Sequence, residues 1–107
     1  MKNIPNSITA HIDEVAGKLK KYPKLEKLYR NCYPNTLETT AEILPDGSTF
    51  LYTGDIPAMW LRDSTAQVTH YLPLTKNDPE IRSIIRGLIV RQLAYIRIDP
   101  YANAFNI

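Results

Sequence analysis

Apolar residues recur every three or four positions through most of this chain, and one block breaks the rhythm. Ile8, Ile12, Val15 and Leu19 keep helical spacing behind Ser7, a residue type suited to capping a helix. Pro23 interrupts. Leu25, Leu28, Tyr29 and Cys32 form a second short stripe, and Pro34 ends it, because the residue before a proline is pushed out of the helical region. Between Thr36 and Thr53 the β-formers Thr39, Thr40, Ile43, Thr49, Phe50, Tyr52 and Thr53 take over, with Pro45-Asp46-Gly47 as a turn in their midst. This predicts a β-hairpin with strands at 39–44 and 48–53, delivering the chain to Gly54-Asp55.

Helical spacing then returns. Pro57 to Leu72 reads as a loop followed by a helix that buries Val68, Tyr71 and Leu72 and stops at Pro73. Asp78-Pro79-Glu80 is a strong restart: a capping carboxylate, proline at the first helical position and an acid in the first turn. Ile81, Ile84, Ile85, Leu88, Ile89, Gln92, Leu93 and Ile96 follow on one stripe, predicting a helix of about 18 residues with Arg82, Arg86 and Arg97 on or near its polar side. Asp99-Pro100 ends it, and Tyr101 to Asn106 reads as a polar, aromatic loop.

The chemistry concentrates between Thr53 and Ser64. Asp55, Trp60, Arg62 and Asp63 put two carboxylates, an indole and a guanidinium within nine residues. A planar apolar ring covers the C–H face of a pyranose, and charged groups make strong, directional hydrogen bonds to hydroxyls. An adjacent Arg-Asp pair offers fixed donors beside fixed acceptors, which a vicinal diol needs because each hydroxyl both donates and accepts. A plain structural role suits the same residues: Asp63 or Ser64 as a helix cap, Ser64 and Gln67 as a capping box, Trp60 in the core, Arg62 paired with an acid.

At the level of the whole string, Thr53 to Val68 resembles the signature of the metal-independent exo-α-mannosidases, glycoside hydrolase family 125. The Trp60-x-Arg62-Asp63-Ser64 core also resembles the sugar-binding segment of glucoamylase-like (α/α)6 barrels. Asn35 to Thr40 and Ile98 to Asn106 match the same family in order, so the resemblance covers residues 20–107, with Glu38 standing where an aspartate is expected. It implies a mainly α fold with a small β-hairpin: residues 1–107 as the N-terminal, truncated portion of a single (α/α)6-barrel catalytic domain, with many helices to follow Ile107. It implies removal of non-reducing terminal α-mannose from an oligosaccharide or N-glycan fragment, 1,6-linked, by inversion and without metal or other cofactor.

Inverting glycosidases place a general acid and a general base ~6.5–9.5 Å apart to admit a water. The resemblance puts both downstream, so no catalytic residue is carried over. Trp60, Arg62 and Asp63 would line the terminal-sugar subsite. Asp55 would bind sugar or hold Arg62, and Met59 would pack behind. Tyr101, Asn103 and Asn106 are sugar-rim candidates or helix-end packing in equal measure.

The remaining features narrow the field. Net charge is +2 and the Lys and Arg residues are dispersed, which argues against nucleic acid. Lys18 to Lys24 suits a solvated helix end. No apolar run approaches the ~20 residues of a membrane span, and Met1 to Ser7 lacks the apolar core of a signal peptide. Cys32 is the single cysteine, compatible with a reducing, cytoplasmic setting. His11, Cys32 and His70 show no metal-ligand spacing, no glycine-rich phosphate loop is visible, and Ser64 lacks a nucleophile-elbow context. Glu42 is expected on the exposed side of the hairpin. The alternative function is a non-catalytic carbohydrate-binding or helical interaction module built on the same Trp-Arg-Asp cluster. Oligomeric state is not legible.

Overall fold

Two helices, a π-helical turn, a hairpin, a second small ribbon and two further helical stretches make up the computed structural model, which describes residues 4–107; Met1, Lys2 and Asn3 of the N-terminal stretch lie outside it. Helix α1 spans Asn6–Lys18 and buries Ile8, Ile12 and Ala16. Its inward line runs through Ala16, so Val15 and Leu19 are only half-buried. Pro5 occupies the cap position without a side-chain bond, which corrects the expectation for Ser7. The Ser7 hydroxyl lies inside the helix and donates instead to the carboxylate of Asp78.

That carboxylate does two jobs. It caps helix α4 (Pro79–Ile98), accepting from the amides of Glu80 at 2.9 Å and Ile81 at 3.3 Å. It also ties the start of α1 to the start of α4. The Ser7 hydroxyl foremost, with the two α4 amides, holds the Asp78 carboxyl below the usual carboxylate range. Arg82 bonds the carbonyls of Thr75 and Lys76, both at 2.9 Å, so it closes the preceding turn rather than standing free in solvent.

Helix α2 spans Pro23–Cys32 with proline at its start and buries none of its residues. Leu25, Leu28 and Cys32 face solvent, and from the expected stripe only Tyr29 turns inward, 5.2 Å from the Tyr33 ring. Thr36–Thr40 then forms one π-helical turn. The hydroxyls of Thr39 and Thr40 bond back to the carbonyls of Asn35 (2.8 Å) and Thr36 (2.7 Å). Such back-bonding gives threonine a helical alternative to the strand, and it shortens the hairpin. Strand β1 is Ala41–Ile43 and β2 is Thr49–Leu51, paired antiparallel with Glu42 opposite Phe50. Gly47 supplies the positive φ of 85° that the turn between them requires.

The hairpin lies on α4. Thr49 Oγ1 donates to the Ile84 carbonyl at 2.8 Å, and Arg91 reaches Ser48 Oγ and Asp46 Oδ2, both at 2.7 Å. Gly87 makes the approach possible, since a Cβ there would stand 2.7 Å from Thr49 Oγ1. The core behind this contact holds Ile8, Leu37, Phe50, Leu51, Met59, Tyr71, Ile81 and Leu88. Tyr71 donates to the Tyr33 carbonyl at 2.6 Å, and burial pushes the Tyr33 phenol up to about 12.

Strand β3 (Ala58–Trp60) runs directly into helix α3 (Leu61–Val68), and a 3-10 stretch continues it from Thr69 to Lys76 with Pro73 inside. Strand β4 (Ala104–Asn106) pairs antiparallel with β3, Met59 opposite Phe105. The sequence pattern predicts loop at both places, so the two strands are a correction. The Tyr95 ring stacks on Phe105 at 4.4 Å and its hydroxyl donates to the Asn106 carbonyl, which fastens this second ribbon to α4. Leu72 is exposed rather than buried, because the 3-10 stretch changes the angular step between residues. Ile89, Val90, Leu93 and Ile96 likewise leave much of the outer side of α4 apolar and exposed. No helix among the described residues is long and apolar enough to cross a membrane.

Candidate functional site

The site is built where β3, the start of α3 and the loop before β4 meet. At Gly54 the backbone turns with φ of 74°, leaving the hairpin. Thr53 closes the excursion: its amide and its hydroxyl both donate to the Ala58 carbonyl at 3.0 Å. Asp55 sits on this turn, exposed. Beyond it, Met59 points into the core and is fully buried, while its neighbour Trp60 alternates to the outer side and is 39% exposed.

Helix α3 begins immediately after Trp60, whose extended backbone serves as its cap. The first-turn positions are therefore Leu61, Arg62 and Asp63. Ser64 lies within the helix, fully buried, and donates to the Leu61 carbonyl at 2.9 Å, which corrects the capping-box reading. Two anchors fix this turn. The Leu61 amide donates to the Asn103 carbonyl at 3.0 Å, joining it to the loop before β4. Gln92 of α4 donates to Ser64 Oγ and Thr65 Oγ1, each at 2.9 Å.

Trp60, Leu61, Arg62, Asp63 and Asn103 line a cleft of about 280 Å³. That is close to the lower end of small-molecule sites, ~300 Å³. Arg62 Nε lies 3.7 Å from Asp63 Oδ1, and the Arg62 side chain is 96% exposed. A pair so open and so loosely joined contributes little to stability. Its donors and acceptors remain free to bond a ligand. Asp63 also stands in the first turn of α3, where the helix dipole favours negative charge.

The structure thus brings four of the sequence candidates together: Trp60, Arg62, Asp63 and Asn103. Asp55 is on the neighbouring turn and outside the lining of the cleft, and the ion-pair partner of Arg62 is Asp63 rather than Asp55. Tyr101 projects into solvent, 92% exposed, with its amide bonded to Asp99 Oδ1. Asn106 is in β4, exposed. His70 sets a ring nitrogen 3.1 Å from the Tyr33 carbonyl, away from the cleft. Sequence reasoning passed over Thr53 and Gln92. For Gln92 a signal existed, a lone amide on an otherwise aliphatic stripe. Among the described residues, no three His, Cys, Asp or Glu side chains form a group that could hold a metal ion.

With this geometry in place, the comparisons with known proteins are specific. Residues 22–107 match the model of the metal-independent α-mannosidases, glycoside hydrolase family 125, and the chain belongs to that family. It is 41% identical over 103 residues to the meiotically up-regulated gene 157 protein of Schizosaccharomyces pombe, covering 92% of this chain and 20% of that protein. It also superposes, with a TM-score of 0.92 and 50% identity, on a metal-independent α-mannosidase of Streptococcus pneumoniae solved as a non-productive substrate complex with α-1,6-mannobiose. That match takes in all of this chain and 25% of the solved one. The chain accordingly spans a fifth to a quarter of the length of these relatives. Its helices and ribbons form part of an (α/α)6 barrel.

Proposed function

We propose that this chain supplies part of the terminal-sugar subsite of an exo-α-mannosidase, within a single (α/α)6-barrel catalytic domain. The enzyme removes non-reducing terminal α-mannose, 1,6-linked, from an oligosaccharide or N-glycan fragment, with inversion and without a metal. The observation that carries this reading is the convergence of Trp60, Arg62, Asp63 and Asn103 on one cleft in a member of this family. Trp60 offers its exposed ring to the apolar face of the sugar. Arg62 donates to hydroxyl oxygens, Asp63 accepts from hydroxyl hydrogens, and the Asn103 amide can do both. Asp55, exposed on the adjacent turn, and Tyr101, exposed two residues before Asn103, belong to the outer rim. The S. pneumoniae relative was solved with α-1,6-mannobiose, which supports that linkage here. A cytoplasmic setting completes the reading, supported by the free thiol of Cys32.

The test is hydrolysis of α-1,6-mannobiose by a family-length protein that carries this chain, assayed after dialysis against a strong chelator. Mannose release at an undiminished rate, with the first product being the β-anomer, is expected. Activity lost to the chelator and restored by zinc or calcium would overturn the metal-free part. No hydrolysis of any α-mannoside, combined with retained mannose binding, would favour a non-catalytic binding module.

A further inference from the structure

Thr53 contributes nothing to the lining of the cleft, yet it holds the cleft's aromatic wall. The residue is 5% exposed, and its hydroxyl makes one bond as donor and one as acceptor. Oγ1 donates to the Ala58 carbonyl and accepts the Trp60 amide, each at 3.0 Å. The two bonds span the first and last residues of β3 from a single atom. They leave the pairing partners of β3 on its other edge to β4, where Trp60 faces Ala104. Trp60 is in turn the residue from which α3 starts, so the position of its backbone sets both the indole and the turn bearing Arg62 and Asp63.

We propose that Thr53 is a positioning residue for sugar binding: its hydroxyl clasps β3 so that the Trp60 ring and the Arg62-Asp63 pair face the same ligand. The sugar-binding part of this proposal rests on the mannosidase reading; the clasp itself does not. The chemistry singles out the hydroxyl. Valine has the shape of threonine but neither donates nor accepts. With valine at this position the Ala58 carbonyl keeps its bond from the Thr53-position amide, whereas the Trp60 amide loses its acceptor. An unpaired amide in a partly buried place opens to solvent more readily. Serine restores both bonds.

The experiment compares Thr53→Val with Thr53→Ser in the family-length protein. Hydrogen exchange is read at single residues and kinetics are measured on α-1,6-mannobiose. In Thr53→Val the Trp60 amide is expected to lose about tenfold or more of its protection while core amides such as that of Leu88 keep theirs. KM should rise by about tenfold with kcat little changed, the pattern of lost uniform binding. Thr53→Ser should return both readings to those of the parent. Unchanged protection at Trp60 would overturn the clasp. A uniform fall of protection across the chain, not rescued by serine, would reduce Thr53 to bulk stability and overturn the proposal. Local loss of protection with KM unchanged would overturn the positioning role. If the parent hydrolyses no mannoside, the mannosidase reading fails separately, and the exchange pattern alone decides the clasp.

Discussion

Replacing Asp63 with alanine in the family-length protein is expected to abolish most mannoside turnover while leaving the protein folded. In this chain the carboxylate is half exposed and only loosely paired to Arg62, at 3.7 Å, so the fold loses little without it. A bound sugar changes the balance. A sugar bound as proposed would cover the cleft, exclude water from the pair and take the carboxylate as its hydrogen-bond acceptor. Truncating one partner of a buried, charged hydrogen bond costs ~2–5 kcal/mol, which corresponds to a fall in kcat/KM of roughly 30-fold to several thousand-fold. Steady-state kinetics on α-1,6-mannobiose, with thermal unfolding as the control for folding, check this. Near-parent kinetics would remove Asp63 from the subsite.

The 107 residues on their own are expected to hydrolyse no mannoside and to bind a hydrophobic dye. Glycoside hydrolysis requires a pair of carboxyl groups on either side of the scissile bond, and the family resemblance assigns neither to this segment. The apolar faces are visible in the structure. On α4, Ile89, Val90, Leu93 and Ile96 are each 42–57% exposed, and Leu25 and Leu28 stand out from α2. Full burial is worth ~1.5–3 kcal/mol per such side chain, against total stabilities of ~5–15 kcal/mol for a folded domain. Several left open on one helix also drive association. Dye fluorescence, sedimentation and a mannoside assay on the isolated chain give the reading. A monomer with a sharp unfolding transition and no dye signal would show that these faces need no cover.

The helices were the legible part of the fold, and the reasons are local. Asp78-Pro79-Glu80 announced α4 because capping, fixed φ and charge all act within one turn, and the structure starts the helix at Pro79. The hairpin was legible from its turn, although Thr39 and Thr40 joined the π-helical turn through their hydroxyls. Strands β3 and β4 were not legible. Three residues are too few for a period-two pattern to emerge, and each strand exists through the other, some 45 positions away along the chain. Ser7 and Ser64 were misread for a related reason. A hydroxyl near a helix start looks like a cap in sequence, but Ser7 found Asp78 and Ser64 found the Leu61 carbonyl once the chain had folded.

At the site, the cluster of Trp60, Arg62 and Asp63 was legible because it is contiguous. That Asn103 joins it depends on the bond between the Leu61 amide and the Asn103 carbonyl, a long-range event with no local signature. In sequence Thr53 reads only as a β-former, since nothing in a single threonine announces that its oxygen will accept from an amide seven residues on.

The most direct test of the central claim is the structure of the family-length protein with a non-hydrolysable α-1,6-linked mannobioside bound. The terminal mannose is expected to lie in the cleft beside Trp60, with its hydroxyls bonded to Arg62 and Asp63 at ~2.7–3.2 Å. A terminal mannose bound elsewhere in the barrel, with these three side chains free of it, would rule out the subsite.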